Sequence, residues 1–402
     1  MKVLQINAVY GVGSTGVIVR DIHELCFKNG IESYVAYSTS NMPIEEIKNG
    51  YVIGNTPEKK LHAFLCRING KQAYFSKGAT KKLIAYVKEI SPDVVHLHNL
   101  HSNFVHLNML LDFLGKENIA TVVTLHDCWF YTGGCFHYTS VGCNKWKKEC
   151  GSCPKKKKDT PAYLFDKSGS ILADRKNYFG KIENLTVVGV SEWITSEAKN
   201  TFLGDKECIA VHNGVDTDFF KPVESDIRRN MGIEDKFVVL AIANKWLLPV
   251  NAETLKTVTD GLDEDSVMVM IGCDDSDKDK LPRNVIPVDF IRDRDMMRKM
   301  YSMADVFANC TREESFSLVN VEAQACGTPT VTYKNTGAQE TVDSKSSFAV
   351  DSGDANALLE AIKEVKQIGK IALSQKCREQ VKCRFDKNEN YLKYVEIYKK
   401  LG

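Results

Sequence analysis

Short β-branched runs alternate with helix-length segments along most of this chain, and the alternation stops once and starts again. Val3–Ile6, Ser33–Tyr37, Val94–His98, Thr121–Leu125 and Thr186–Val190 read as strands, separated by helical stretches such as Val17–Asn29 and Thr80–Ile90. Near-continuous apolar strands separated by helices indicate parallel sheets covered on both faces. After a helix over Ser191–Phe202, a short strand Ile209–Val211 and a turn at Asn213-Gly214, the pattern resumes. Phe237–Ala243, Val267–Ile271, Val285–Pro287, Val306–Ala308 and Thr330–Tyr333 form the second series. The 402 residues suit two domains of about 150–200 residues better than one. We place the first at 1–210 and the second at 211–384, with a final amphipathic helix in 385–402 free to join the first.

Composition narrows the function classes. A net charge of +1 gives no global field for nucleic acid, so no nucleic-acid partner is expected. No apolar run approaches the roughly 18 residues of a membrane span, and the first residues read as a strand rather than a signal peptide, which points to a cytoplasmic protein. Thirteen cysteines, an odd number in scattered apolar settings, argue against a secreted disulfide framework.

The segment Arg312-Glu313-Glu314-Ser315-Phe316-Ser317-Leu318 through Glu322 to Gly327-Thr328-Pro329 lies between two strands and reads as loop then helix. Ser315 or Ser317 can cap that helix, whose first N–H groups suit an anion. Glu322 stands among Val321, Ala323 and Ala325, where a carboxylate is costly unless something donates hydrogen bonds to it. A ribose diol would do so. A core Arg or Lys would serve equally well on spacing alone.

This stretch, EESFSLVNVEAQACGTPTV, resembles the Glu-x7-Glu signature of the retaining GT-B glycosyltransferases of family 4. It is similar in particular to the exopolysaccharide and capsule (colanic-acid-type) members. The resemblance implies an α/β GT-B fold, with two facing Rossmann-like domains, parallel sheets and an interdomain cleft. It implies hexosyl transfer from a nucleotide sugar, UDP- or GDP-linked, to a glycan acceptor in surface polysaccharide biosynthesis. It places Glu314 on donor-sugar hydroxyls, Glu322 on the ribose, and Phe316, Ser317 and Leu318 along the donor, with backbone N–H groups near the last two meeting phosphate. It implies catalysis without a required cofactor. A nucleotide-binding protein with little transfer, or another GT-B enzyme such as an epimerase, is the alternative.

Gly11-x-Gly13-x-x-Gly16 follows the first strand, and glycines there permit positive φ and close approach to a phosphate or sugar. By itself the motif is weak. The resemblance puts Gly13 and Gly16 against the donor diphosphate or acceptor. His126 and Asp127 end a strand at the carboxyl edge where such sheets bind ligands, and the similar family position holds a His near the donor sugar. His96, His98 and Asn99 end another strand and are candidates for the acceptor side.

One departure stands out. The family has an Arg after the first strand of the second domain and a Lys-Gly five residues later. Here Lys245 falls at the Arg position, while Val250 and Asn251 replace Lys-Gly. One cation facing the diphosphate is missing, and Arg312 is the candidate to compensate.

Residues 128–168 break the alternation with clustered Cys, Gly, Trp and Lys and no sustained period. A long loop of this kind needs its own explanation. Cys135, Cys143, Cys150 and Cys153 could hold a structural zinc and give an otherwise coreless insertion a reason to fold, with His137 as a competing ligand, while Trp129, Phe130, Tyr131 and Trp146 fit either its core or an interfacial anchor. Lys145, Lys147, Lys148 and Lys155–Lys158 fit either a solvated loop or a dock for an anionic membrane or an acceptor pyrophosphate. The similar insertion in capsule enzymes suits a polyprenyl-pyrophosphate-linked acceptor and a peripheral place on the inner face of the plasma membrane.

Overall fold

Val3, Leu4 and Ile6 are wholly buried in β1 (Lys2–Tyr10) because the strand has a neighbour on each side and helices over both faces. The computed structural model describes residues 1–159 and 162–402; Thr160 and Pro161, within the expected insertion, lie outside the described residues. Two compact units are present, Met1–Asn213 with Asn390–Gly402, and Gly214–Glu389.

In the first unit β1 is joined by β2 (Glu32–Ser40), β3 (Gly50–Val52), β4 (Val94–Leu97), β5 (Ala120–Leu125), β6 (Leu185–Gly189) and β7 (Glu207–Ala210). All pair in parallel, in the order β3-β2-β1-β4-β5-β6-β7. The second unit holds β8 (Phe237–Ile242), β9 (Ser266–Ile271), β10 (Val285–Val288), β11 (Val306–Asn309), β12 (Thr330–Lys334) and β13 (Phe348–Asp351), in the order β10-β9-β8-β11-β12-β13. Its core packs Val239, Met268, Val306 and Tyr333 against Leu358 and Ile362 of the Ala355–Ile368 helix. Each sheet reverses its strand order at one point, β1/β4 in the first and β8/β11 in the second. Open α/β sheets bind ligands outside the strand ends at such a point.

The last helix, Lys387–Leu401, covers the first unit's sheet with Tyr394 and Tyr398 through a buried polar chain. Thr124 Oγ1 donates to the Tyr394 hydroxyl (3.1 Å) and accepts from His96 Nε2 (2.7 Å), which leaves His96 Nδ1 to accept the Tyr398 O–H (2.6 Å). Among the described residues, no helix is long and apolar enough to cross a membrane.

Of the two roles open to the aromatics of the insertion, the structure shows the core. Trp129, Tyr131, Tyr138 and Trp146 are buried in it, around short helical turns at Trp129–Tyr131, Thr139–Val141 and Lys145–Lys147. Buried Arg175 lies 3.9 Å from the Trp129 ring centre and donates to the Trp129 and Thr132 carbonyls. The Trp129 indole N–H reaches Gln72 Oε1 at 2.9 Å. Aromatic packing and the Arg175 guanidinium, whose Nη1 makes both carbonyl contacts, hold this segment.

Candidate active site

The loop after β11 and the turn after β8 lie side by side because those strands are neighbours. Asn251, wholly buried, ties them together. Its Nδ2 donates to the Lys245 carbonyl (2.9 Å) and the Cys310 carbonyl (3.1 Å), and its Oδ1 accepts from Arg312 Nε (2.9 Å). Lys245 and Arg312 are therefore brought to one edge by an Asn standing where the family has Gly. Val250 is 53% exposed, so the missing cation leaves no buried gap.

Glu314 is fixed through its backbone. Its N–H donates to Thr336 Oγ1 (3.0 Å), and its carbonyl accepts from Gly337 N–H (3.0 Å) and Thr336 Oγ1 (2.6 Å). Its Oε2 is buried without a hydrogen-bond partner, and so is the neighbouring Ser315 Oγ. Burial pushes the Glu314 carboxyl pKa up, opposed first by the Lys245 charge and then by hydrogen bonds from Ser317 and Asn309. Two orphaned polar atoms in one loop are expensive unless a ligand completes them.

Neither serine caps the helix Leu318–Ala325. Ser317 occupies the N-cap position, but its hydroxyl accepts from Asn309 Nδ2 (3.1 Å), which also donates to Asn320 Oδ1 (2.8 Å). The capping expectation is thus corrected for both, and the first-turn N–H groups at Leu318 have no side-chain partner, as an anion site requires. Phe316 is buried and meets the Phe385 ring edge-on at 5.5 Å, a packing contact.

Glu322 makes no ion pair among the described residues. Its Oε2 accepts from the Tyr301 hydroxyl at 2.9 Å. Burial raises its pKa to about 7, against the lowering effects of Tyr301 and Arg294. Among the described residues, no Arg or Lys forms the ion pair left open by the sequence, although the Arg294 charge acts on the carboxylate.

In the first unit the helix Gly13–Lys28 starts inside the glycine loop, with Val12 providing no side-chain cap. Gly13 has φ +63°, which favours glycine, while a Cβ on Gly16 would come within 3.2 Å of the Gly11 backbone nitrogen. His126 and Asp127 follow β5. Asp127 accepts from the Trp129 N–H (2.8 Å) and sits 3.2 Å from His101 Nε2; burial opposes its charge, but His101 and Trp129 hold its pKa below the usual value.

A chain of fixed tautomers reaches His126. Gln5 Nε2 donates to the Val19 carbonyl (3.3 Å), so its Oε1 faces His98 Nε2 (3.2 Å), which must carry hydrogen. His98 Nδ1 is then an acceptor, and His126 donates to it through Nε2 at 3.0 Å. His126 is left with Nδ1 as a hydrogen-bond acceptor, and burial lowers its pKa to about 4, so it is neutral at pH 7. Long-range ¹H–¹⁵N spectra should show His126 as the Nε2–H tautomer, changing to a mixture in Gln5→Leu; an imidazolium signal at pH 7 would contradict this chain. His96 and His98 themselves are wholly buried and spent on internal partners, so the expectation that they face an acceptor is corrected. Gln5 and Asn251 were missed by the sequence reading. A polar side chain inside the apolar run Val3–Ile6 was the available signal for the first.

Cys135, Cys143, Cys150 and Cys153 all line one small, half-open cavity of about 20 Å³, room for a single water or ion. Among the described residues, however, no three His, Cys, Asp or Glu side chains are grouped to hold a metal ion. Burial raises the Cys135 thiol to about 12 and Cys150 to about 11.

Two Rossmann-like units with all-parallel sheets, each carrying its polar groups at the switch-point edge, give the chain an α/β fold of the GT-B type. Residues 16–219, just over half of the chain, match Glycosyltransferase Family 4, and residues 228–383 match Glycosyl transferases group 1. The chain belongs to Glycosyltransferase Family 4 and is a glycosyltransferase. A protein of Escherichia coli (strain K12) named for a glycosyl transferase role in colanic acid biosynthesis, WcaC, is 22% identical over 398 residues, 93% of this chain and 92% of its own. Sucrose-phosphate synthase from Thermosynechococcus elongatus superposes with a TM-score of 0.71 at 17% identity, covering 100% of this chain and 98% of its own. Anabaena HepE in complex with UDP and glucose gives 0.66 at 17% identity, covering 99% of each chain.

Proposed function

We propose that this glycosyltransferase moves a hexosyl group, with retention, from a nucleotide diphosphate sugar to a lipid-linked glycan acceptor in surface polysaccharide biosynthesis. The observation that carries the donor site is the unpartnered Glu314 Oε2 beside Ser315 Oγ, next to an uncapped helix N-terminus and the Lys245 charge. In this reading the second unit holds the donor. Glu322 accepts the ribose hydroxyls, the Leu318 end of the helix and Lys245 face the diphosphate with Arg312 beside them, and Glu314 takes the sugar hydroxyls. The acceptor enters over the Gly13–Gly16 loop and the His126 edge of the first unit, where His126 Nδ1 is open as an acceptor and His98 fixes the ring. The UDP bound by HepE favours a UDP-linked donor, and the name of the E. coli relative favours the polysaccharide context.

The acceptor oxygen attacks the anomeric carbon on the face the diphosphate leaves. Its proton passes to the departing phosphate oxygen as the old C–O bond breaks, so no side chain need be the nucleophile. Charge then gathers on the diphosphate, where the cations and helix N–H groups act.

The experiment is donor binding against pH. A ribose diol donates to the ionised form of Glu322, whose pKa is raised to about 7 in the free protein. Binding therefore releases a proton, and affinity for a UDP-sugar rises as pH passes up through about 7, then levels off. Calorimetry in two buffers should show that proton release in the wild type and its loss in Glu322→Gln, with weaker binding throughout. Equal affinity and equal proton release in both proteins would refute the ribose role.

The structural zinc read from Cys135, Cys143, Cys150 and Cys153 remains a proposal of the same kind. Their shared cavity supports it, but the thiols would have to turn and deprotonate onto the ion. Elemental analysis of protein purified without chelator is expected to give about one zinc per chain; metal-free, fully folded protein would end the idea.

A further inference from the structure

The helix Thr56–Asn69 buries His62 and Cys66 on one side and presents Leu61, Phe64 and Ile68 on the other, 57%, 57% and 37% exposed. Those positions are three and four residues apart, so they form a single apolar stripe. A second segment lies along the end of this helix. The Tyr163 N–H donates to the Arg67 carbonyl at 2.9 Å, and the Phe165 carbonyl packs against Gly70. That segment exposes Tyr163, Leu164 and Phe165 by 61%, 64% and 53%. Six large apolar side chains from two neighbouring elements are thus left in water. Scattered exposed residues need no explanation, but a contiguous set is a binding surface.

The polar rim is of one sign. Lys60 and Arg67 flank the stripe on the helix, Lys157 and Lys158 stand exposed just before the second segment, and the Lys167 ammonium lies 5.5 Å from the Phe165 ring centre. The nearest carboxylates in sequence, Glu58, Asp159 and Asp166, are hydrogen-bonded to the backbone N–H groups of Ala79, Phe136 and Cys153. In a chain of net charge +1 this is a concentrated local field.

We infer that this face is a docking surface for an anionic lipid bilayer. The aromatic and aliphatic side chains enter the headgroup boundary, and the lysines and arginine meet lipid phosphate. A second copy of the chain fits poorly, because a self-complementary contact would set one basic rim against another. The inference deepens the lipid-linked acceptor reading by naming how the enzyme reaches a membrane-held substrate; of the lysines singled out in the sequence, the surface takes in Lys157 and Lys158 but not Lys145, Lys147 or Lys148.

Sedimentation of the full chain with vesicles tests it. The wild type should bind vesicles of equal parts phosphatidylglycerol and phosphatidylcholine, and bind phosphatidylcholine alone far less. Phe64→Asp combined with Leu164→Asp should weaken anionic-vesicle binding at least about tenfold, and Lys157→Glu with Lys158→Glu should weaken it and reduce its salt sensitivity. Unchanged melting temperature and UDP-sugar affinity in each variant would show that fold and donor site are intact. Failure of the wild type to sediment, or equal sedimentation of the Phe64/Leu164 variant, overturns the inference. So does a concentration-dependent dimer that the Phe64 change breaks without any vesicle binding. If vesicles bind yet no lipid-linked acceptor receives sugar, the surface stands and the acceptor reading falls.

Discussion

Glu314→Gln should lower the rate of sugar transfer about 10²–10³-fold while leaving affinity for the free nucleotide nearly unchanged. The reason lies in where charge develops. As the bond to the diphosphate breaks, the anomeric carbon becomes positive, and a carboxylate held among the sugar hydroxyls gains attraction that the ground state lacks. Glu314 is held for that task by its backbone, through Thr336 and Gly337, so its side chain is free of structural duty at Oε2. The nearly isosteric amide keeps the loop and removes the charge. Steady-state kinetics with direct nucleotide titration separates the two quantities. Parallel losses in turnover and nucleotide affinity would mean that Glu314 supports the loop and does not face the sugar.

Lys245→Met should cost a similar factor, about 10²–10³ in turnover, through the other end of the breaking bond. The site carries a cation fewer than the family pattern, and Val250 points into solvent where a lysine would be expected. That places more of the diphosphate's charge on Lys245 and on Arg312, which Asn251 locks to the same edge by one bond to each of the two segments' backbones and one to the guanidinium. Lys245 also sets the strongest opposition to the raised pKa of Glu314. Removing it should therefore move the pH–rate profile toward higher pH on its acid side, because Glu314 then needs a higher pH to ionise. A turnover near wild type with an unmoved profile would show that the helix N–H groups and Arg312 suffice.

The fold was legible because parallel strands buried on both faces announce themselves as apolar runs. Two strands were not foreseen, β3 at Gly50–Val52 and β13 at Phe348–Asp351. Both are short edge strands, and a run of three or four residues carries no period to read. The sequence left the aromatics of the insertion between a core and an interfacial anchor for a related reason: Trp129, Tyr131, Tyr138 and Trp146 converge through turns, and no spacing rule links residues that meet in that way. At the site, the acidic pair and the helix were visible as a motif. What could not be read was how hydroxyls are shared. Ser317 looks like a cap in sequence, yet Asn309 claims it, and that choice depends on β11 lying beside the helix. Asn251 likewise looks like a lost glycine until the Cys310 and Arg312 contacts appear.

A crystal structure with an intact UDP-sugar is the most direct measurement. It should place the ribose on the Glu322 carboxylate, the diphosphate against the N–H groups at Leu318 with Lys245 opposite, and a sugar hydroxyl on Glu314 Oε2. Nucleotide bound elsewhere, with Glu314 Oε2 still bare and Glu322 held by Tyr301 alone, would contradict it.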